Sequence, residues 1–198
     1  LMNKTLNSAH RLLHLRGRLK VLLTPNYETA TKFSEKYGNN IIGVISDVKF
    51  LNKGKKDSHA GMKFAKGIRD KHPAMPIILQ STDKSNQDLA KTIGADFLHK
   101  NSSTLLKDLR NFIIINFGFG DFIFRDHRGK EIFRASNLKS LKDSLNKIPE
   151  KTLKFHASKN HFSNWLAVRG EFSIASIIRP IKITDFSALD DLDRKSTL

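Results

Sequence analysis

Residues Ile41–Phe50 read I-I-G-V-I-S-D-V-K-F, an apolar run that ends in the carboxylate of Asp47. Buried strands of parallel sheets have near-continuous isoleucine and valine runs, because helices cover both of their faces. In open parallel sheets, functional groups collect just beyond the carboxyl ends of the strands. We therefore predict a buried parallel strand over Ile41–Ser46, with Asp47 at the functional end of the sheet.

Two later apolar runs also end in a polar residue. Met75–Ser81 reads M-P-I-I-L-Q-S, and Ala95–Lys100 reads A-D-F-L-H-K. The three runs together place an acid, a hydroxyl and an ammonium group at successive strand ends. Phosphoryl transfer depends mainly on positioning and charge neutralisation, so this set of groups is suited to handling phosphate.

Segments with the apolar spacing of helices lie between these strands. The repeated strand–helix alternation predicts an α/β protein with a doubly wound parallel sheet. The elements predicted before residue 118 are helices at Thr5–Arg16, Tyr27–Tyr37, Gly61–Lys71, Asn86–Ile93 and Ser103–Phe117, strands at Leu19–Leu23, Ile41–Ser46, Pro76–Gln80 and Phe97–His99, and a polar loop at Lys49–Ala60.

The pattern changes at Gly118. Asp121–Arg125 and Glu131–Arg134 alternate in polarity around D-H-R-G, which predicts a β-hairpin. The helices predicted after it are Asn137–Ile148, Glu150–Ser158 and Ser163–Ile178. We therefore expect a small α+β module of a hairpin and three helices. The predicted segments are residues 1–117, residues 118–182 and a linker-like tail at residues 183–198.

Composition limits the class of protein. The chain has 198 residues, of which 39% are hydrophobic and 27% charged, and this balance is typical of a globular protein in water. No apolar run approaches the roughly 18–20 residues of a membrane span, so we expect no membrane association. The chain has no cysteine, which excludes disulfides and thiolate metal sites, and no secretory signal, so we expect a cytoplasmic protein. Because it begins with Leu1, we expect it to be part of a longer polypeptide.

The formal net charge of +16 is compatible with binding to nucleic acid, to an anionic surface or to an acidic partner. The lysines are scattered along the sequence rather than collected in one run. This distribution favours the simpler interpretation of a solvated, lysine-rich surface.

Residues 19–117 resemble the receiver domain of two-component response regulators. The matching segments are I-S-D-V at Ile45–Val48, P-I-I-L-Q-S at Pro76–Ser81 and G-A-D-F-L-H-K at Gly94–Lys100. Asp47 and Lys100 are 53 positions apart (100 − 47 = 53), close to the spacing in that family. The resemblance implies a flavodoxin-like fold and a regulatory module rather than an enzyme.

The resemblance also implies roles for individual residues. Asp47 matches the phosphoacceptor, which takes phosphate from a histidine kinase or a phosphotransfer protein. Ser81 and Lys100 match the hydroxyl and the lysine that contact the phosphate, and Phe97 matches the aromatic switch. Magnesium is implied as the cofactor, bound by Asp47 and by the backbone carbonyl of Lys49.

One departure from the family concerns its first strand, which ends in a pair of acids. No such pair precedes Asp47. Pro25 lies 22 positions before Asp47 (47 − 25 = 22), which fits one strand–helix–strand step, so Leu19–Leu23 matches the second strand. In a 2-1-3-4-5 sheet the first strand lies between the second and third, and its loss would leave backbone groups unpaired. We therefore expect the first strand and its acids upstream of Leu1, or another segment or chain in its place.

The segment F-H-A-S-K-N-H-F-S-N-W-L-A-V-R-G-E-F, which contains His156, His161 and Trp165, allows two interpretations. The two histidines are a candidate metal pair, although the zinc-protease motif H-E-x-x-H is absent. The helical spacing of the apolar residues favours a packed core instead.

From Gly118-Phe119-Gly120-Asp121-Phe122 to Trp165-Leu166, the chain also resembles an adaptor that links receiver-like regions to phosphoenolpyruvate synthase-type modules in bacterial fusion proteins. This resemblance implies that a downstream domain of the same polypeptide receives the signal. A homodimer is a further candidate partner state. The alternatives are a DNA-binding response regulator and a phosphorylation-silent interaction scaffold.

Overall fold

The computed structural model of the chain describes residues 19–126 and 128–181. The predicted helix at Thr5–Arg16 and the predicted tail at residues 183–198 lie outside these ranges. The chain divides into two compact units, Leu1–Phe117 and Gly118–Leu198.

A three-stranded parallel sheet organises the first unit. Its strands are β1 (Val44–Asp47), β4 (Ile77–Ser81) and β5 (Asp96–His99), in the order β1-β4-β5. A separate antiparallel pair consists of β2 (Phe50–Asn52) and β3 (Lys55–Asp57). The helices of this unit are α1 (Tyr27–Tyr37), α2 (Ala60–Lys71), α3 (Asn86–Ile93) and α4 (Leu105–Phe117), with a 3₁₀ turn at Gly38–Asn40.

Apolar side chains of β4 pack on both faces of the sheet, because successive residues of a strand point to opposite sides. Ile77 and Leu79 belong to a core with residues of α2 and α3, whereas Ile78 packs in a second core with Phe112 and Phe117 of α4. These β4 side chains are almost fully buried, and each such burial contributes about 1.5–3 kcal/mol. The expected α/β class with a parallel sheet is confirmed, and the finer assignment to a flavodoxin-like fold stays a prediction.

The predicted strand at Leu19–Leu23 is wrong. Within the described residues this segment has no regular secondary structure, and Val21 and Leu23 are each 85% exposed. A strand needs a neighbour with which to share hydrogen bonds, and among the described strands β1 pairs only with β4. An apolar run was therefore not enough to define a strand here.

The prediction of a polar loop over Lys49–Ala60 is also wrong, because β2 and β3 form a hairpin there. Its turn residues Lys53 and Gly54 have φ of 50° and 74°, as tight hairpin turns require. Two contacts hold the hairpin against the start of α1. Asn26 forms an isolated parallel β-bridge with Leu51. The Glu28 carboxylate accepts a hydrogen bond from the Lys53 N–H at 2.6 Å.

The second unit begins with the predicted hairpin, formed by β6 (Phe122–Arg125) and β7 (Glu131–Ala135). Its helices are α5 (Leu138–Leu145), α6 (Glu150–Ser158), α7 (His161–Val168) and α8 (Phe172–Ile178). The helix predicted at Ser163–Ile178 is thus two helices, and the described part of the unit has four helices rather than three. Gly170 between α7 and α8 has a φ of +82°, which ends the helical conformation there.

Aromatic side chains form the core of this unit, in agreement with the core interpretation of the histidine-containing segment. Phe122 stacks on Phe162 with ring centroids 4.9 Å apart, and Trp165 meets Phe122 edge-on. The indole N–H of Trp165 donates to the Gly120 carbonyl at 3.1 Å, and the Arg169 guanidinium lies 3.4 Å from the Trp165 ring centroid. Burial and stacking therefore support the packed-core interpretation of this segment.

Candidate functional site

Three strand ends bring Asp47, Ser81 and Lys100 to one place, here called the C-terminal rim of the sheet. Asp47 ends β1, Ser81 ends β4, and Lys100 follows the last residue of β5. Asp47 lies opposite Gln80 in the register of β1 and β4, next to Ser81. The Lys100 N–H donates to the Ser81 carbonyl at 2.8 Å. The parallel register therefore produces the arrangement predicted from the three runs.

The side chains of Asp47 and Lys100 form an ion pair, with Nζ 2.8 Å from Oδ1. The two side chains are 46% and 35% exposed. Pairs as exposed as this one contribute only about 0–1 kcal/mol to stability, because water competes for both charges. The pair thus contributes little to the stability of the fold. It places an ammonium group beside a carboxylate that water can reach.

The hydroxyl of Ser81 is oriented by its own loop. Its Oγ accepts the Asp83 N–H at 3.1 Å and the Asn86 side-chain amide at 3.3 Å. Both of these bonds use Oγ as an acceptor, which leaves its proton to donate to another group. The same loop contains an ionised acid, since hydrogen bonds from Ser85 lower the pKa of Asp83.

His99 fixes the same loop from β5. Its Nε2 lies 2.9 Å from the carbonyl oxygen of Thr82. A carbonyl only accepts, so this nitrogen carries the proton and donates it. This hydrogen bond therefore links Thr82, the residue after Ser81, to His99, the residue before Lys100.

Helix α2 begins directly against the end of β1. The Gly61 N–H donates to the Val48 carbonyl at 2.9 Å, and a Cβ at Gly61 would lie 2.0 Å from the carbonyl oxygen of Asp47. Only glycine fits at this distance. The partial positive charge of a helix N-terminus thus lies next to the strand that ends in Asp47, and it favours negative charge there.

Phe97 and Lys49, the other predicted site residues, lie near the rim. Phe97 is partly buried and packs against the core formed with α2 and α3. Lys49 lies in the turn between β1 and β2 and is exposed. No contact of either residue tests the role that the family resemblance implies for it.

The described residues do not fit a complete magnesium site. Magnesium prefers octahedral oxygen coordination and is usually bound through one or two carboxylates. Asp47 supplies one carboxylate, which is already paired with Lys100. Within residues 19–126 and 128–181, no group of three or more histidine or acidic side chains is arranged to bind a metal ion.

Sequence reasoning missed three residues that shape this site: Asn86, His99 and Gly61. The run S-T-D-K-S-N at residues 81–86 was a usable signal, because serine, aspartate and asparagine side chains bond to nearby backbone in turns. The contacts of His99 and Gly61 join segments distant in sequence, and no local pattern indicates them.

The fold and the rim together define an α/β protein with polar groups collected at the strand ends of a parallel sheet. Comparisons with known protein families, with curated proteins and with solved structures find no match to this chain. In the part of the chain that the structure describes, no helix has the length and hydrophobicity needed to cross a bilayer.

Proposed function

We propose that this chain is a phosphoacceptor module of the receiver type, in which Asp47 takes a phosphoryl group and its state is passed to a downstream domain of the same polypeptide. The observation that carries the proposal is the 2.8 Å pair of Asp47 and Lys100 at the same rim as the Ser81 hydroxyl. A carboxylate, a cation and a hydrogen-bond donor are the groups that phosphoryl transfer requires for attack and charge neutralisation.

The chemical step is a displacement at phosphorus. An Asp47 carboxylate oxygen attacks the phosphorus of a phosphohistidine or a small acyl phosphate and forms a new P–O bond. The bond from phosphorus to the donor breaks, and the leaving histidine nitrogen or acyl oxygen takes its electron pair. Lys100 then pairs with the added negative charge, and Ser81 donates its proton to a phosphate oxygen.

Acetyl phosphate is the direct test. Incubation of the chain with it, with and without Mg²⁺, is expected to add one phosphate detectable by intact mass. Asp47→Asn should abolish the gain, whereas Asp70→Asn, which changes an exposed carboxylate on α2, should leave it unchanged. Lys100→Met should slow the gain and leave the fold intact, because the exposed ion pair contributes little to stability.

Two results would contradict the proposal: no mass gain in the wild-type chain under either condition, or a gain that persists in Asp47→Asn. One alternative is a phosphorylation-silent scaffold, in which the ion pair of Asp47 and Lys100 takes no phosphate. That alternative predicts no phosphorylation and unchanged binding of a partner domain by Asp47→Asn.

A further inference from the structure

The backbone of Ser81 is fixed to strand β5. Ser81 lies opposite His99 in the parallel register of β4 and β5, and its carbonyl accepts the Lys100 N–H at 2.8 Å. The next residue is held as well, because His99 Nε2 donates to the Thr82 carbonyl at 2.9 Å. With the backbone fixed, the direction of the Ser81 O–H bond depends on the groups that contact its oxygen.

Asn86, the first residue of α3, is one of these groups. Ser81 and Asn86 are half-buried, whereas residues 82–85 between them are exposed. Asn86 Nδ2 lies 3.2 Å from the Asp83 carbonyl oxygen and 3.3 Å from Ser81 Oγ. A carbonyl oxygen only accepts, so the Asp83 carbonyl determines that the NH₂ end of the amide faces this loop. Asn86 is therefore a donor toward Ser81.

The hydroxyl of Ser81 has one proton and two lone pairs. Asn86 occupies one lone pair, and the Asp83 N–H, 3.1 Å from Oγ, occupies the other. Any further hydrogen bond of this hydroxyl must use its proton. A hydrogen-bond donor or a metal ion needs a lone pair and does not fit at Ser81, whereas an ionised oxygen accepts the proton and fits.

We propose that Asn86 is a positioning residue that restricts the Ser81 hydroxyl to donation, so that this position of the rim is specific for an ionised oxygen such as those of a phosphoryl group. The inference rests on the proposed function, and it adds to the rim a residue that lies outside the three strand ends. Asn86 acts through Ser81 and does not need to touch the phosphoryl group.

Asn86→Asp reverses the polarity of this contact with little change in shape. A carboxylate only accepts, so the Ser81 proton should turn toward residue 86 and away from the phosphoryl group. Phosphorylation of the chain by acetyl phosphate, measured by intact mass, should slow about tenfold, as expected for the loss of one hydrogen bond. Asn86→Ala removes the donor without supplying an acceptor and should slow the reaction less.

Two controls separate polarity from added charge. Gln87→Glu places the same charge on an exposed neighbouring residue of α3 and should change the rate much less. Ser81→Ala removes the hydroxyl through which Asn86 acts, so Asn86→Asp should slow the reaction little further in that background. A merely structural role of Asn86 would slow the reaction by the same factor in both backgrounds.

Failure of this inference differs from failure of the proposed function. If the wild type gains phosphate and Asn86→Asp reacts at the wild-type rate, or slows the Ser81→Ala chain by the same factor, the inference is wrong and the proposed function is unaffected. If the wild type gains no phosphate, the proposed function fails, and a titration without phosphate decides the inference.

That titration follows the carboxyl introduced by Asn86→Asp, by NMR of the whole labelled chain. A hydrogen bond to the ionised form lowers a carboxyl pKa. The introduced carboxyl should therefore titrate at lower pH when Ser81 is present than in the Ser81→Ala background. Equal titration in the two backgrounds would mean that residue 86 does not control the Ser81 hydroxyl, and it would overturn the inference.

Discussion

Acid should lower the stability of the second unit more than that of the first, because two buried histidines of the second unit stay neutral in the folded state. His156 Nε2 accepts the Arg125 N–H at 2.9 Å, at a point where the register of β6 and β7 shifts. The proton of the neutral His156 ring is then on Nδ1, which lies 2.9 Å from Nδ1 of His161. His161 accepts that proton, so its own proton is on Nε2, a buried atom for which the described residues supply no hydrogen-bond partner.

Neither ring can gain a proton without loss of one of these contacts. Burial, together with the positive charges of Arg125 and Lys159, lowers the pKa of His156 from 6.5 to about 4. Burial, with His156 and Lys159, lowers the pKa of His161 from 6.5 to about 3. The folded state therefore binds fewer protons than the unfolded state between these values and pH 6.5.

The sign and size of the effect follow from linkage. The contribution of the neutral histidines to the free energy of unfolding is fully present above pH 6.5. It falls as the pH drops toward the folded-state pKa values, by up to about 1.4 kcal/mol per pH unit for each histidine. Between pH 7 and pH 5 the loss is about 2 kcal/mol per histidine, and about 4 kcal/mol for the pair.

Trp165 reports this unfolding, because it is the only tryptophan and is 1% exposed in the aromatic core. Denaturant titrations of the intact chain at pH 7, 6 and 5 can be followed by Trp165 fluorescence. The denaturant concentration at the midpoint should fall steeply as the pH is lowered from 7 to 5. His156→Gln keeps an acceptor for the Arg125 N–H and cannot titrate, and His161→Phe removes the unpartnered N–H.

The double variant of these two positions should therefore lose most of the acid sensitivity. His59→Gln, at an exposed histidine of the first unit, is the control and should behave as wild type. If the wild-type midpoint moves no more between pH 7 and pH 5 than that of the double variant, the histidine pair does not govern acid stability.

Three further predictions concern stability, two in the first unit and one in the second. Gly61→Ala should destabilise the first unit by about 1–3 kcal/mol, because its Cβ would lie 2.0 Å from the Asp47 carbonyl oxygen. Gly67→Ala lies in the same helix, and its Cβ would meet nothing within 4 Å, so this variant should instead stabilise the unit by about 0.5–1 kcal/mol. Melting temperatures that shift in the same direction in both variants would contradict the packing at Gly61. Asn137→Ala removes a capping box with Ser140 and should destabilise the second unit by about 1 kcal/mol, measured by Trp165 fluorescence, and an unchanged midpoint would mean that the cap contributes nothing.

The strands that carry the candidate site were predictable from sequence, because β1 and β4 are apolar runs that end in a polar residue. Parallel register then places Asp47, Ser81 and Lys100 together without further information. The placement of these groups was thus a consequence of strand identity, whereas their chemical roles stay predictions.

Other features depend on contacts between distant segments and were not predictable. The β2–β3 hairpin is lysine-rich, and Asn26 and Glu28 of the α1 region help to fix it. Leu19–Leu23 has the composition of a strand, but no strand in the described part of the chain pairs with it. Gly170 itself indicated a helix end, but the helical spacing of apolar residues continues on both sides of it and favoured a single helix.

The rim takes each of its three groups from a different strand end, and none of the three is needed to fill a core. A substitution at one of these positions therefore alters the chemistry of the rim and leaves the scaffold standing. The chemistry of the rim and the packing of the scaffold can therefore be varied independently of each other.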